Sequence, residues 1–269
     1  MTEELRIRNY SERTVKSYLT SISQLSQYYK TSPESITRNQ VKSFAYYLIH
    51  SEHASVSRIN QLISAWKILQ VDVLGNQWED LRLKRPRREK KIPQVLSQDE
   101  ALALIGALSN MKHRMILTLA YVTGIRRSEL LNLKVKDIDS SRGVIRIIQG
   151  KGKKSREVPV SKILIELLRE YYRCYRPKTY LFEGRQGKPY TPSSLNNVIK
   201  KAAKKAGIKK TVSPHILRHS FATHMLDKGI NLKRLQMVLG HSALRTTSIY
   251  LHLSNPDSIK LPDLLSPKK

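Results

Sequence analysis

The sequence predicts a mainly α-helical protein with a small antiparallel β-sheet, divided into a helical N-terminal domain and a second domain of α+β type. Along most of its 269 residues, apolar side chains recur every three or four positions, which is the period of an amphipathic helix. One segment instead has β-branched runs on both sides of a Gly-Lys-rich tip, as is typical of a β-hairpin: "GVIRIIQGKGKKSREVPV". A basic stretch near residue 85 interrupts the helical period and separates the two domains.

The first domain, residues 1–80, is predicted to contain three long helices. The first begins after Ser11, which can cap its N-terminus, and is the segment "ERTVKSYLTSISQLSQYYK". The second begins after Thr37, and Gln40 three residues later completes a capping-box pattern. The third is the segment "SRINQLISAWKILQ". We interpret the apolar faces of these helices as a hydrophobic core.

The linker, residues 81–94, contains "LRLKRPRREKK", and Pro86 and Pro93 disfavour a helix there. The second domain, residues 95–253, opens with another capping-box pattern at Ser97 and continues into the strongly apolar helix "RMILTLAYVTG". Beyond the hairpin, further helices are predicted at "KILIELLREYYRCY", "TPSSLNNVIKKAAKKAG", "SPHILRHSFATHMLDKG" and "NLKRLQMVLG".

The charge of the chain is strongly positive and unevenly distributed. There are 49 basic and 21 acidic residues, which gives a formal net charge of +28. Residues 1–80 hold 9 basic and 8 acidic residues, whereas 81–91 hold 7 and 1, and 92–269 hold 33 and 12. A merely solvated surface would not need so uneven a division, so we expect binding to nucleic acid, the commonest polyanion in cells. The predicted DNA-binding residues of the linker are Arg82, Lys84, Arg85, Arg87, Arg88, Lys90 and Lys91.

Several other classes of protein are disfavoured. No apolar run approaches the roughly 20 residues of a membrane-spanning helix, and the polar N-terminus does not look like a signal peptide, so a cytoplasmic protein is expected. The single cysteine, Cys174, excludes an internal disulfide and a multi-cysteine zinc site. His215, His219 and His224 lie at spacings of four and five, which do not bring three rings to one point. With no phosphate-binding loop motif either, we expect no metal and no cofactor.

Residues that suit a phosphodiester are spread over the loops and helix ends of the second domain. Arg126 follows the end of an apolar helix, and Glu129 lies one turn further, at the spacing of an ion pair. Lys151 lies at the hairpin tip, and His215 and Arg218 share a helix face. Guanidinium groups match phosphate oxygens bidentately, and imidazole and ammonium groups can act as base and acid.

His241 and Tyr250 complete this set. His241 follows a helix-ending glycine, and Tyr250, nine residues later, is the candidate nucleophile. A tyrosine hydroxyl, with a pKa of about 10, reacts only where a cation and a base favour its ionisation. Taken alone, an arginine is more often a surface charge, a Gly-Lys tip a basic turn, and a tyrosine part of a core. Because all of these residues suit one phosphate, we hypothesise that they form one site.

Four stretches carry a family resemblance: "TGIRRSELLNL", "GKGKKSREVPV", "HILRHSFATHML" and "LGHSALRTTSIYLH". In this order and at these spacings they resemble the tyrosine recombinase family, the phage-integrase-like and Xer-like site-specific recombinases. The resemblance implies a tyrosine-recombinase catalytic domain at 95–253 and a helical core-site DNA-binding domain at 1–80. It also implies that DNA strands are cut and rejoined through a 3′-phosphotyrosyl intermediate and a Holliday junction, without metal or ATP.

The resemblance also implies a role for each site residue. Tyr250 would attack the scissile phosphate, and Arg126 and Arg218 would hold its non-bridging oxygens. Lys151 would protonate the departing 5′ oxygen, and His241 would hydrogen-bond the phosphate.

Three further residues have supporting roles in this scheme. His215 would assist proton transfer at the tyrosine, Glu129 would support the first arginine, and His219 would be structural. The tail, residues 254–269, either docks on a neighbouring protomer or is a frayed terminus, and the sequence leaves both open. Its candidate contacts are Ile259, Leu261, Leu264 and Leu265.

The implied partners are double-stranded DNA with inverted-repeat core sites and further copies of the chain, as a tetramer on DNA in the nucleoid. A monomer in solution is one alternative for the free protein. Without a further N-terminal domain for arm sites, a simple core-site recombinase is expected. A non-enzymatic DNA-binding protein and a tyrosine topoisomerase stay open as alternatives. The target sequence is undetermined, and so is the task among dimer resolution, integration of a mobile element, cassette exchange and inversion.

Overall fold

The computed structural model describes residues 1–78, 83–86, 93–148, 155–241 and 243–252. The chain folds into two compact units, Met1–Lys91 and Ile92–Lys269, called the N-terminal and the C-terminal unit below. Over the described ranges the structure is mostly helical, with a three-stranded antiparallel sheet. The predicted fold class, mainly α with a small antiparallel sheet, is confirmed. Among the helices of these ranges, none has the length and apolar character to cross a membrane.

The N-terminal unit contains the three long helices that the sequence predicts and a short one before them. Its helices are α1 Thr2–Ile7, α2 Glu12–Tyr29, α3 Arg38–His50 and α4 Val56–Lys67. The side chains of Ser11 and Ser55 accept hydrogen bonds from the first turns of α2 and α4. Thr37 and Gln40 form the predicted capping box of α3. These hydroxyl and amide groups satisfy backbone N–H groups that a helix leaves free at its start.

Large apolar side chains form the core of the N-terminal unit. Trp66 is fully buried, and α4 continues into a π-helical segment, Ile68–Val73. The sequence did not predict α1, because six residues are too few to show a helical period. Its Leu5 is fully buried and packs with Val15 and Ile68, which holds α1 in place.

The C-terminal unit contains eight α-helices within its described residues. They are α5 Gln98–Gly106, α6 Met111–Thr123, α7 Arg127–Asn132, α8 Lys162–Tyr175, α9 Pro192–Lys205, α10 Pro214–Asp227, α11 Leu232–Leu239 and α12 Arg245–Ser248. Short 3₁₀ turns lie at Pro33–Ser35, Val135–Asp137, Arg185–Gly187 and Ile249–His252, the first of them in the N-terminal unit. Thr191 and Ser213 cap α9 and α10, and each is followed by proline at the first helical position, where its fixed φ suits the start of a helix.

The helix α6 lies at the centre of the C-terminal core. Ile116, Leu117 and Leu119 are fully buried, and α6 packs against α8 and α10. Gly124 ends α6 with φ +59°, and a Cβ atom there would lie 2.2 Å from Cδ1 of Phe221 in α10. The close approach of α10 to the end of α6 therefore depends on this glycine.

The sheet lies in the C-terminal unit, with the order β1-β2-β3. Its strands are β1 Ile138–Asp139, β2 Val144–Ile147 and β3 Arg156–Pro159. Ile145 pairs with Val158 and Ile147 with Arg156. The strands β2 and β3 are the two arms of the predicted hairpin, and the tip, residues 149–154, lies outside the described residues. The two-residue strand β1 was not predicted.

Candidate active site

Arg126 is placed by the turn between α6 and α7. Its backbone is extended and immediately precedes α7. The guanidinium donates from Nη1 to Oε1 of Glu129 at 2.8 Å and from Nη2 to the carbonyl oxygen of Gly240 at 2.7 Å. The side chain is 18% exposed, so Arg126 is held by protein and still reaches solvent.

The carboxylate of Glu129 is shared between two arginines. Besides Arg126, it accepts two hydrogen bonds from Arg156: Nη1 to Oε1 at 2.9 Å and Nη2 to Oε2 at 2.8 Å. The backbone N–H of Arg126 donates to Oε2 at 2.8 Å. Burial acts to raise the pKa of Glu129, but the hydrogen bonds and charges of Arg156 and Arg126 outweigh it and lower the pKa to about 2. Glu129 is therefore ionised at neutral pH.

Arg218 is the most deeply buried cation of the site. It is 4% exposed and donates from Nη1 to the carbonyl of Gly124 at 2.5 Å and from Nη2 to the carbonyl of Leu239 at 2.7 Å. Its Nη2 also lies 2.9 Å from Nε2 of His241. Burial, followed by the charge of Arg126, lowers the pKa of Arg218 to about 10. The guanidinium remains charged at neutral pH and is fixed by backbone carbonyls at the ends of two helices.

The neighbours of His241 define its tautomer. Because Arg218 can only donate, Nε2 of His241 is the acceptor, so Nδ1 carries the proton and faces Oγ1 of Thr247 at 2.9 Å. Burial, followed by the charges of Arg218, Arg126 and Arg156, lowers the pKa of His241 to about 4. His241 is therefore neutral at neutral pH.

Tyr250 lies on the 3₁₀ turn Ile249–His252, with 1% of its surface exposed. Its hydroxyl is 3.0 Å from Nδ1 of His219. Its ring is nearly parallel to that of His241, at 12° and 6.5 Å between centroids. Burial raises the pKa of Tyr250, and the positive charges of Arg218 and Arg126 act in the opposite direction. The tyrosine is neutral when no DNA is bound, and the cations around it favour its anion.

The two histidines of α10 differ in their positions. His219 contacts the Tyr250 hydroxyl, whereas His215, one turn earlier, is exposed. Burial and then the charges of His215 and Arg218 lower the pKa of His219, so its ring is neutral at pH 7 and can accept a proton. The family resemblance implies that His215 assists proton transfer at the tyrosine. The geometry instead puts His219 at hydrogen-bond distance from this hydroxyl.

Several predicted functional residues lie outside the described residues. These are Lys151, the linker residues Arg82, Arg87, Arg88, Lys90 and Lys91, and the tail residues Ile259, Leu261, Leu264 and Leu265. Of the linker, Lys84 and Arg85 are described. Arg85 donates to the carbonyl oxygen of Asn60 at 3.0 Å and to Oγ of Ser64 at 2.9 Å, so this predicted DNA contact is attached to α4.

Arg156 was not among the site residues predicted from the sequence, although it lies in the segment "GKGKKSREVPV". Arg156 is the first residue of β3, and its Nε also donates to the carbonyl of Val238 at 2.8 Å. The available signal was the two-residue period of a strand, which places Arg156 on the same face as the buried Val158. An arginine on the inward face of a strand needs partners, and Glu129 supplies them.

The described part of the site suits the binding of an anion beside a tyrosine. The guanidinium groups of Arg126 and Arg156 bind the carboxylate of Glu129, and that of Arg218 lies close enough for their charges to interact, so positive charge is in excess there. Fixed donors in a partly buried site stabilise charge that develops on phosphate oxygens. A neutral tyrosine, with a neutral histidine at its hydroxyl, is the arrangement needed for a nucleophile and its base.

Comparisons with known proteins identify the family to which this chain is similar. The model of the phage integrase family matches residues 94–256, and that of the phage integrase N-terminal SAM-like domain matches residues 1–80. A tyrosine recombinase of Thermosipho africanus is 36% identical over 263 residues, which span 93% of this chain and 92% of that protein.

Solved structures agree with this assignment. The crystal structure of XerA recombinase is 32% identical, with a TM-score of 0.58, and the match covers 96% of this chain and 92% of that one. The XerH site-specific recombinase bound to its difH substrate is 23% identical and shares the fold, with a TM-score of 0.72 over 93% of this chain and 82% of that one. The chain therefore belongs to the phage integrase family of tyrosine recombinases. The resemblance seen in the sequence is confirmed, and with it the predicted class of enzyme, a tyrosine-type site-specific DNA recombinase.

Proposed function

We propose that this recombinase cuts and rejoins DNA through a 3′-phosphotyrosyl bond to Tyr250 and exchanges strands through a Holliday junction, without metal or ATP. The observation that carries the proposal is the position of the Tyr250 hydroxyl. It is buried, lies 3.0 Å from a histidine nitrogen and is under the influence of the charges of Arg218 and Arg126. The phosphotyrosyl bond conserves the energy of the cut phosphodiester, so rejoining needs no external energy source.

Proton transfer from the nucleophile is proposed to involve His219. Burial keeps both the tyrosine and the histidine neutral before DNA binds. When the hydroxyl attacks phosphorus, its proton can pass to Nδ1 of His219, provided that this ring carries its own proton on Nε2. His215 lies one turn earlier on α10, at an exposed position where DNA could contact it.

Phosphate recognition is proposed to fall to Arg126, Arg218 and His241. Of the two arginines, Arg126 is partly exposed and Arg218 is buried, so they could contact the phosphate from two sides. The neutral His241 would donate its Nδ1–H to a non-bridging oxygen after this group turns from its present partner, Oγ1 of Thr247. For Lys151, protonation of the leaving 5′ oxygen stays a proposal drawn from the family motif.

The partner is proposed to be double-stranded DNA with inverted-repeat core sites, bound by a tetramer in the nucleoid. The net charge of +28 supports a nucleic-acid partner, and XerH, which shares the fold, is bound to DNA in its structure. We propose residues 1–80 as the core-site-binding domain, 81–94 as a basic linker, 95–253 as the catalytic domain and 254–269 as a tail that docks on a neighbouring protomer.

A nicked suicide substrate tests the proposal. The full chain, incubated with DNA whose cut strand loses a short fragment, should form a protein–DNA adduct that resists SDS. Tyr250→Phe should bind the same DNA and form no adduct. Tyr121→Phe is a matched control, because Tyr121 is also buried and its hydroxyl lies 2.8 Å from Nδ1 of His224.

The two alternatives give different results in this experiment. A DNA-binding protein without catalytic activity would bind with a steep salt dependence and form no adduct. A topoisomerase would relax supercoiled DNA that lacks any recombination site. An adduct formed by Tyr250→Phe would show that Tyr250 is not the nucleophile.

A further inference from the structure

Arg156 connects the β-hairpin to several parts of the active site. Its guanidinium donates one hydrogen bond to each carboxylate oxygen of Glu129, at 2.9 and 2.8 Å. Its Nε donates to the carbonyl of Val238, in the last turn of α11, at 2.8 Å. The side chain is 11% exposed. Arg156 is thus committed to protein partners and is poorly placed to touch DNA itself.

The first consequence concerns the charge available on Arg126. Glu129 accepts four N–H groups, two from Arg156 and two from Arg126. Because Arg156 binds the carboxylate bidentately through its two Nη atoms, its charge offsets that of Glu129 and leaves the charge of Arg126 free to attract a phosphate. Without Arg156, Glu129 would neutralise Arg126 and would be free to turn about it.

The second consequence concerns the turn that leads to His241. A Cβ atom on Gly240 would lie 2.8 Å from Nη1 and 2.9 Å from Cδ of Arg156, so the missing side chain of Gly240 makes room for this guanidinium. The carbonyl of the same glycine accepts the hydrogen bond from Arg126. Arg156 therefore packs against the residue that both orients Arg126 and precedes His241.

We propose that Arg156 is a positioning residue of the recombination reaction. It holds Glu129 and the turn at Gly240 so that Arg126 and His241 face the scissile phosphate. This inference rests on the proposed function, in which that phosphate is attacked by Tyr250.

The test compares Arg156→Met with Arg142→Met in single-turnover cleavage of the suicide substrate and in equilibrium DNA binding. Arg142 is a matched control, because its guanidinium also donates one hydrogen bond to each carboxylate oxygen of a glutamate, Glu157 of the same hairpin, each at 2.8 Å. Unlike Arg156, it is exposed. Misplaced catalytic groups slow a reaction by about 100-fold. We expect that loss in cleavage for Arg156→Met, with DNA affinity within about threefold of Arg142→Met. Equal cleavage rates for the two variants would overturn the proposal.

Two further variants separate positioning from a merely structural role. In Glu129→Gln/Arg156→Met the uncompensated carboxylate is gone and an amide oxygen still faces Arg126, so cleavage should recover about tenfold relative to Arg156→Met. A double variant no faster than Arg156→Met would contradict the role. Arg156→Lys keeps the charge without the bidentate contact and should cleave at an intermediate rate. If Arg156→Met fails to fold, Arg156→Lys decides: cleavage at the parent rate overturns the proposal, and slower cleavage at unchanged affinity supports it.

A titration without DNA separates this proposal from the proposed function. In Arg156→Met the carboxyl ¹³C signal of Glu129 should titrate at a higher pH than in the parent, whose pKa is about 2. An unchanged titration would show that Arg156 does not stabilise the ionised form of Glu129 and would overturn the proposal. Absence of any adduct with the parent chain, in contrast, would refute the proposed function and leave this measurement interpretable.

Discussion

Gly124 meets two independent constraints, and replacing it tests how the fold holds Arg218. Its φ of +59° is unfavourable for an L-residue, and a Cβ atom would lie 2.2 Å from Cδ1 of Phe221. We expect Gly124→Ala to lose about 1 kcal/mol from backbone strain. The displaced ring adds about 1–3 kcal/mol, so the total loss in unfolding free energy is about 2–4 kcal/mol. The variant should also cleave DNA more slowly, because the carbonyl of Gly124 accepts a hydrogen bond from Arg218.

Gly207→Ala is the matched control for this prediction. Gly207 has φ +68°, and the described residues place no atom within 4 Å of a Cβ atom there. It should lose about 1 kcal/mol, the backbone contribution alone. The free energy of unfolding of both variants is measured by urea unfolding followed by far-UV circular dichroism. Tryptophan fluorescence is unsuitable, because Trp66 and Trp78 lie in the N-terminal unit and report on that unit. Losses equal within about 0.5 kcal/mol would refute the steric argument, given the ~1–3 kcal/mol expected for overpacking.

Three other predictions concern pH and the turn before His241. Since the folded pKa of Glu129 is about 2 and its ordinary value is 4.5, its contribution of about 3 kcal/mol is present above pH 4.5 and lost as the pH falls towards 2. Urea unfolding from pH 7 to pH 3 should show more than half of this loss, and Glu129→Gln should show less of it. The ring of His241, with a pKa of about 4, should stay neutral at pH 5.5 in an NMR titration. A titration midpoint near 6.5 would contradict the hydrogen bond that its Nε2 accepts from Arg218. Protonation disfavours its folded form, so this residue costs stability as the pH falls from 6.5 towards 4. Gly240→Ala should slow DNA cleavage by about 10- to 100-fold, because the added methyl group displaces the guanidinium of Arg156. The control Gly229→Ala, with φ +81° and open space among the described residues, should leave the cleavage rate within about threefold. Equal effects of the two variants would argue against the packing of Arg156 on Gly240.

Local signals in the sequence predicted much of the fold. The capping residues Ser11, Thr37 and Ser97 lie where the structure begins helices, because a capping side chain acts within its own first turn. The strand β1 could not be predicted, since two residues carry no period and their pairing depends on β2.

The site shows the same division between local and tertiary information. The ion pair of Arg126 and Glu129 follows from a spacing of three residues. The contact of Arg156 with Glu129 joins residues 27 positions apart and depends on where the folded chain places β3 relative to α7, which no local pattern encodes. Likewise, a spacing of four puts His215 and His219 on one side of α10, and the position of the turn that carries Tyr250 decides which of them meets the hydroxyl.

The central claim is that Tyr250 becomes covalently bound to DNA. The most direct measurement is mass spectrometry of the peptides released from an SDS-resistant adduct on a suicide substrate. We expect a nucleotide joined through its 3′ phosphate to the peptide that contains Tyr250. A nucleotide on any other residue, or a parent chain that binds its DNA site and never forms the adduct, would contradict it.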